Sequence, residues 1–449
     1  MTATLNRAIA SFPNVFDPGA LSALPDHLQE TIRRRNEVLG PGYMLMYREP
    51  VEFVSGRGAH LYDHKGNDFL DVYNNVPCVG HAHPRVVEAV SRQLAAVNTN
   101  TRYVQEALVD YAERLLATLP SELSKLSLAC SGSEANDLAM RVAKFHTGGE
   151  GIIVTRNAYH GITSEVSRFS PSLGKGSPLG PAVRLIDPPD PRLAVPGSTL
   201  AEHMRAQVRG AIEDLERHGY RLAALISDCA YSSDGIFTDP VDYMQGVVDE
   251  VHAAGGVYIA DEVQSGFARL GDSMWGFSRH DVVPDIVTMG KPMGNGVPVS
   301  GVVFRPEVCE EFGRTVRYFN TFAGSSIPVA AAAAVLDVFE EENVQQRVLE
   351  NGKALRAGVE EITHASPYVA EVRGSGLYVG VEIVKDDGSL EPDRARAEDV
   401  INDLRDRRVL ISGSGKGANV LKIRPPLAFS SADVVRFLET FAEVAKVRL

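Results

Sequence analysis

The chain has 449 residues, 44% of them hydrophobic and 23% charged, which is the balance of a folded globular protein of two or three domains. Acids outnumber bases by 58 to 45, and the resulting net charge of −13 argues against a nucleic-acid or anionic-membrane partner. The four cysteines, Cys78, Cys130, Cys229 and Cys309, stand far apart with no CxxC pair, so reduced thiols in a cytoplasm are expected rather than a zinc site or a disulfide framework.

The opening residues, MTATLNRAIASFPNVF, hold one arginine and lack the apolar core of a signal peptide. Residues 1 to about 40 read as a helical arm, amphipathic over 28–39 and stopped by Gly40-Pro41-Gly42. From 51 to 70 short strands alternate with turns at Gly56-Arg57-Gly58 and Lys65-Gly66-Asn67, making a small meander. His81 and His83 alternate in a Gly/Pro-flanked loop with no cysteine or acid cluster beside them, so no metal site is expected. Helical patterns at 84–97 and 103–119 lead to a strand at 126–129 and then to Cys130-Ser131-Gly132-Ser133-Glu134. Leu138, Ala139, Val142 and Ala143 continue with helical spacing. A strand, a small-residue loop and a helix start aim backbone N–H groups at an anion. Ser131 and Ser133 add hydroxyls, and Gly132 lets a phosphate approach the backbone.

A strand at 151–155 leads to Tyr159, whose ring can stack on a planar ligand. Residues 170–196, rich in Pro, Gly and Ser, read as a long loop bordering a pocket. A helix opens at Thr199 with a capping box closed by Glu202 and stops near Gly219. The strand at 222–227 ends on Asp228. Two further strands, 257–260 and 286–289, end on Asp261-Glu262 and Gly290-Lys291-Pro292. The alternation from about 126 to 303 marks a mostly parallel sheet with crossover helices, so the fold class is α/β. Ligands of such sheets sit beyond the carboxyl ends of the strands. Asp261 and Lys291 are thus placed to share one crevice, where a lysine forms a Schiff base and an acid holds positive charge on a ring nitrogen. The more charged C-terminal part, with helices at 341–364 and 397–407, strands over 370–384 and 419–427 and a final helix, reads as a smaller α+β domain. The expected divisions are an arm and meander over 1–75 packing with the small domain, a large domain over 76–335, and the small domain over 336–449.

In combination these stretches resemble the class III aminotransferase family of pyridoxal-phosphate enzymes. SGSEAND, AYHG, DEVQSGFARLG, MWGF, PDIVTMGKPMGNG, FNTFAGS, VRGSGLYVGVE and LKIRPPL occur in the family's order across about residues 35–445. The resemblance implies a fold-type-I homodimer that binds pyridoxal 5′-phosphate (PLP) at the subunit interface. It assigns the Schiff base to Lys291, the ring-nitrogen partner to Asp261, the neighbour of the ring hydroxyl to Gln264 and the stacking ring to Tyr159. Ser131, Gly132 and Ser133 would hold the cofactor phosphate together with Thr321 of the partner subunit, and Arg424 would take a substrate carboxylate.

The stretches DVYNNVPCVGHAHP, NTNTRYVQEALVDYAERLLATLP, SGSEANDLAMRVAKF and NVLKIRPPL look like one branch, the ethanolamine-phosphate and phosphohydroxylysine phospho-lyases, which eliminate phosphate and leave an aldehyde and ammonia. Aminotransferases generally place a Glu at the end of the 222–227 strand that can pair with the carboxylate-binding arginine. Here the residue is Asp228, one methylene shorter. If it does not reach, Arg424 is left for a permanent anion, with Arg102, Lys175 and Arg48 as weaker candidates. The expected activity is phosphate elimination from a small phosphorylated amine, O-phosphoethanolamine foremost. The alternative is amino transfer from an amine or amino acid to a keto acid. A non-catalytic cofactor-binding protein is disfavoured by the intact Lys291 and Asp261.

Overall fold

A computed structural model of the chain describes residues 14–449. Most of the N-terminal stretch read for targeting signals lies outside the described residues. A meander of β1 (Phe53–Arg57), β2 (His60–Asp63) and β3 (Asp68–Asp71) precedes the main sheet. The main sheet is built from β4 (Lys125–Ala129), β5 (Gly151–Thr155), β6 (Val183–Ile186), β7 (Leu222–Asp228), β8 (Val257–Asp261), β9 (Ile286–Met289) and β10 (Ser300–Phe304), in the order β4-β10-β9-β8-β7-β5-β6. Strands β9, β8, β7, β5 and β6 pair in parallel, and β10 runs antiparallel to both β9 and β4.

The parallel strands are near-continuous apolar runs because both faces are covered. Ile153, Leu225 and Tyr258 point to the side packed by helices Leu200–Arg217 and Met244–Ala253. Ile152, Ile226 and Ile259 point to the other side, against Ala135, Leu138, Ala139 and Val142 of helix Gly132–Thr147. The capping box at Thr199 is present, with Glu202 returning the bond.

The stretch 170–196, expected to be one long loop, instead contains β6 and two 3-10 turns, Pro171–Leu173 and Pro191–Leu193. Strand β6 is four residues long, half-buried and at the sheet edge, so its pattern is drowned by the Pro and Gly around it.

A third sheet is formed by β11 (Val369–Ser375), β12 (Tyr378–Ile383), β14 (Ser412–Ser414) and β15 (Val420–Ile423), while β13 (Val409–Leu410) leaves it to pair in parallel with β3. Phe69, Leu70 and Val72 of the meander region share one core with Leu355, Leu404 and Phe437. Helix Ser326–Glu341 belongs to both halves. Its Val329, Ala332 and Leu336 enter the main-sheet core, and Ala331, Val335 and Val338 enter the C-terminal core. Among the described residues no helix is long and apolar enough to cross a membrane.

Candidate active site

The carboxyl ends of β7, β8 and β9 converge. Asp228 lies opposite Asp261 in the β7–β8 register, and Asp261 lies opposite Thr288 of β9, three residues before Lys291. They border a cavity of about 200 Å³ lined by Gly132, Ser133, Tyr159, Asp261, Gln264 and Lys291, among others.

The acid pair at the end of β8 divides because successive side chains point to opposite faces. Asp261 turns into the cavity. Its Oδ2 accepts from His160 Nδ1 at 2.7 Å and Asn136 Nδ2 at 2.9 Å, and its Oδ1 accepts from the Val263 N–H at 3.0 Å. Glu262 turns away, fully buried, and accepts from the Gly276 and Phe277 N–H groups and the Ser265 hydroxyl. It holds the MWGF loop and takes no part in the cavity.

Lys291 has no hydrogen-bonding partner among the described residues. Burial, reinforced by the charge of Arg424, lowers its ammonium to about 8. The amine therefore reaches its neutral, nucleophilic form far more readily than an ordinary lysine.

The anion cradle stands at the N-terminus of helix Gly132–Thr147. Ser131 caps that helix, accepting from the Glu134 N–H at 3.3 Å, and lies outside the cavity lining, whereas Gly132 and Ser133 line it. Ser133 Oγ accepts from the Ile162 N–H at 3.1 Å. Gly161 has φ +141, and a Cβ there would meet Ser133 Oγ at 2.5 Å, so the two loops close on each other only because this position is glycine. The turn leading to Tyr159 is tied to the loop after β7: Asp234 accepts from the Asn157 N–H at 2.9 Å and from Thr155 Oγ1 at 2.6 Å. Thr321 is exposed and does not line this chain's cavity, although its loop is tied to the same helix by Asn320 Nδ2 donating to Glu134 at 3.1 Å.

Asp228 does not reach Arg424. Its two oxygens accept from the N–H groups of Ala230 at 3.0 Å and Ser232 at 2.9 Å, turning it back onto its own loop. Arg424 is not left free either. It donates to Gln264 Oε1 and, at 3.2 and 3.1 Å, to the carbonyl of Tyr73. These acceptors are neutral, so the buried guanidinium has hydrogen bonds and no countercharge. Arg269, also buried, donates among the described residues only to the carbonyls of Leu377 and Pro425. The weaker candidates lie outside the cavity. Arg48 pairs with Asp399, Arg102 stacks 3.8 Å over Phe319, and Lys175 is exposed.

Two contributors were not assigned from sequence. His160 and Asn136 orient Asp261; the visible signal for Asn136 is a polar residue on the apolar face of its helix. A third unassigned group, Lys422, lies outside the cavity lining but within reach of the charges of Arg424 and Lys291. Strand β15 sends Leu421 and Ile423 into the C-terminal core, while Val420 packs on Ala230, Ile236 and Tyr378, next to the loop after Asp228. Lys422 shares the Val420 side by strand alternation. It is half-buried with no hydrogen-bond or ion-pair partner among the described residues. Burial, then the charges of Arg424 and Lys291, hold its ammonium well below the usual range. A lysine inside an apolar strand run is the signal that marks it. His81 and His83 each pair singly, with Asp71 at 2.7 Å and Glu342 at 3.1 Å. All four cysteines are free.

The family description Aminotransferase class-III matches residues 46–445. The chain belongs to this family. It is 39% identical over 431 residues to a Drosophila melanogaster protein named alanine–glyoxylate aminotransferase 2-like, covering 92% of this chain and 86% of that one. It is 35% identical over 460 residues to the Caenorhabditis elegans ethanolamine-phosphate phospho-lyase homolog 1, covering 98% of both. Among solved structures, an Arthrobacter phospholyase in complex with phosphoethanolamine superposes with a TM-score of 0.89 at 43% identity, over 93% of this chain and 99% of that one.

As a member of this family the chain is a PLP-dependent enzyme, and the cavity fits the cofactor. The helix N-terminus with Gly132 and Ser133 would hold the cofactor's phosphate. The anchored Asp261 carboxylate would hold a protonated ring nitrogen, Tyr159 lines the same cavity, and Lys291 would bring an amine with a lowered proton affinity. Bound there, PLP supplies an electron sink for charge released at an amine-bearing carbon.

Proposed function

We propose that the enzyme is a phospho-lyase that eliminates phosphate from a small phosphorylated amine such as O-phosphoethanolamine, with water then hydrolysing the remaining enamine to an aldehyde and ammonia. The observation that carries this reading is the charge imbalance behind the cavity wall at Gln264, to which Arg424 donates. Among the described residues Arg424 has only neutral acceptors and Lys422 has no partner, and Asp228 is turned onto its own backbone. A dianionic phosphate pairs with the Arg424 guanidinium and favours the protonated form of the Lys422 amine, which a single carboxylate does less well. The likeness to a phospholyase bound to phosphoethanolamine adds support.

In this reading the residues divide the work. Ser133 and the N–H groups at the start of helix Gly132–Thr147 hold the cofactor phosphate. His160 and Asn136 keep the Asp261 carboxylate aimed into the cavity. Neutral Lys291 takes a proton from the substrate carbon at Nζ. Arg424 and Lys422 hold the departing phosphate and stabilise the charge that grows on it. Incubation with O-phosphoethanolamine alone should release phosphate and acetaldehyde in equal amounts with no keto acid present. Absence of phosphate release overturns the proposal.

The second reading, amino transfer to a keto acid, is favoured by the likeness to the alanine–glyoxylate aminotransferase 2-like protein and requires a keto-acid acceptor for turnover. Both readings include a homodimer with shared sites. Exposed Tyr103, Val104 and Phe322 and an apolar cleft of about 420 Å³ beside Tyr318 and Phe319 surround the Thr321 loop, a surface suited to a second copy that receives Thr321.

A further inference from the structure

Away from the active site, three segments of the N-terminal region bring unpartnered ligand-type side chains together. His27 lies in the first turn of helix Asp26–Val38, Glu52 lies just ahead of β1, and His64 lies in the turn after β2. One donor atom from each lies within 4.8 Å of the others, and the two imidazole rings meet edge to face at 4.9 Å. All three are exposed, and none has a hydrogen-bond or ion-pair partner among the described residues. They border a cleft of about 200 Å³. Of the charged groups on that cleft's other walls, Arg405, Glu49, Asp406 and Asp63 are engaged elsewhere, while Lys65 and Arg408 also line it without a side-chain partner among the described residues. Arg405 donates to Glu49 at 3.1 Å and to Asp406 at 3.2 Å, and Asp63 accepts from the N–H groups of Lys65 and Asn67. The donors of the cluster therefore remain open.

We propose that His27, Glu52 and His64 form a binding site for a divalent transition-metal ion of the zinc class, which clips the N-terminal helix to the meander. Two imidazoles and a carboxylate are a common three-residue donor set for zinc, with water completing a four-coordinate shell. The clip has a structural purpose. Among the described residues helix Asp26–Val38 fully buries only Ile32, in a small cluster with Phe16 and Leu24 flanked by half-buried Leu21, Leu28 and Leu45, so the apolar contact holding the helix is limited. A metal bridging three separate segments restrains it by closing those loops.

The test uses the untagged, PLP-loaded enzyme, stripped of adventitious metal by dialysis against chelator and then equilibrated with zinc or cobalt salts alone. The expected result is saturable binding of one ion per chain and a cobalt absorption spectrum of four-coordinate N/O type. His27→Ala and His64→Ala should each weaken binding by at least about tenfold. Protease cleavage of the arm should slow on zinc addition in the parent and not in His64→Ala. Lack of saturable binding, or equal binding in parent and both variants, overturns the site. Binding that leaves the cleavage rate unmoved overturns the clip. The phosphate-release assay is independent of each of these readouts.

Discussion

Replacing Lys422 with methionine separates what this amine costs the fold from what it does for a substrate. A half-buried amine without a partner costs on the order of 1–3 kcal/mol, so Lys422→Met, similar in length and able to fill the same space, should raise stability by about that amount. Its contribution to a phosphorylated substrate has the opposite sign. A charge-assisted hydrogen bond to a phosphate oxygen is worth roughly 1.5–3 kcal/mol. At about 1.4 kcal/mol per factor of ten, the variant should lose roughly ten- to a hundredfold in kcat/KM for O-phosphoethanolamine. The assay is steady-state phosphate release for that substrate beside the half-reaction with an unphosphorylated amine, followed by cofactor absorbance. Melting of the PLP-loaded enzyme supplies the stability readout. Activity on the phosphorylated amine should fall while the unphosphorylated amine is unaffected and the melting temperature rises. An equal loss on both amines, or a lowered melting temperature, refutes the assignment of Lys422 to substrate phosphate.

Lys291→Ala should abolish the Schiff-base absorbance band and turnover together; unimpaired activity would overturn the placement of the lysine. Because burial lowers the Lys291 ammonium to about 8, the rate at which the cofactor-free enzyme takes up PLP should rise with pH and level off above about 8. A rate still climbing toward the range of a free lysine would contradict that environment. His160→Phe removes one of the three hydrogen bonds on Asp261. It should lower kcat by roughly tenfold or more, since hydrogen bonds to charged groups are worth about 1.5–3 kcal/mol, and it should shift the cofactor's absorbance titration; an unmoved titration would leave His160 a packing residue only. Burial raises the Asp234 carboxyl to about 6. The folded chain therefore binds a proton there that the unfolded chain, titrating near 3.9, has already released. Stability from this group is present at low pH and lost as pH rises through about 6, so Asp234→Asn should flatten that part of the urea midpoint against pH, and an unchanged profile would refute it.

The main sheet was legible to within a residue or so at β5, β7, β8 and β9, because strands covered on both faces are short apolar runs with abrupt polar ends. The capping box at Thr199 was equally plain, since its two residues are three apart in sequence. Strand β6 was missed because an edge strand of four residues carries little pattern of its own. Two-residue β13 was missed because its reason for existing is a pairing with β3, more than three hundred positions earlier in the chain.

The site divides along the same line. Sequence alone determined that Asp261 and Lys291 stand at the ends of neighbouring apolar strands and that Gly132 and Ser133 open a helix, because chain direction and strand length decide these things locally. Only the tertiary structure decided which polar groups meet. It turned Glu262 to the MWGF loop and Asp228 onto its own backbone, joined Gln264 to Arg424, and set His160 and Asn136 on Asp261. It also left Lys422 without a partner among the described residues, on the face of β15 where Val420 packs against Ala230 and Ile236. The physical reason is that a hydrogen bond or a countercharge depends on distance in space, fixed by packing between elements far apart in the chain, whereas the apolar period that reveals each element is written within it.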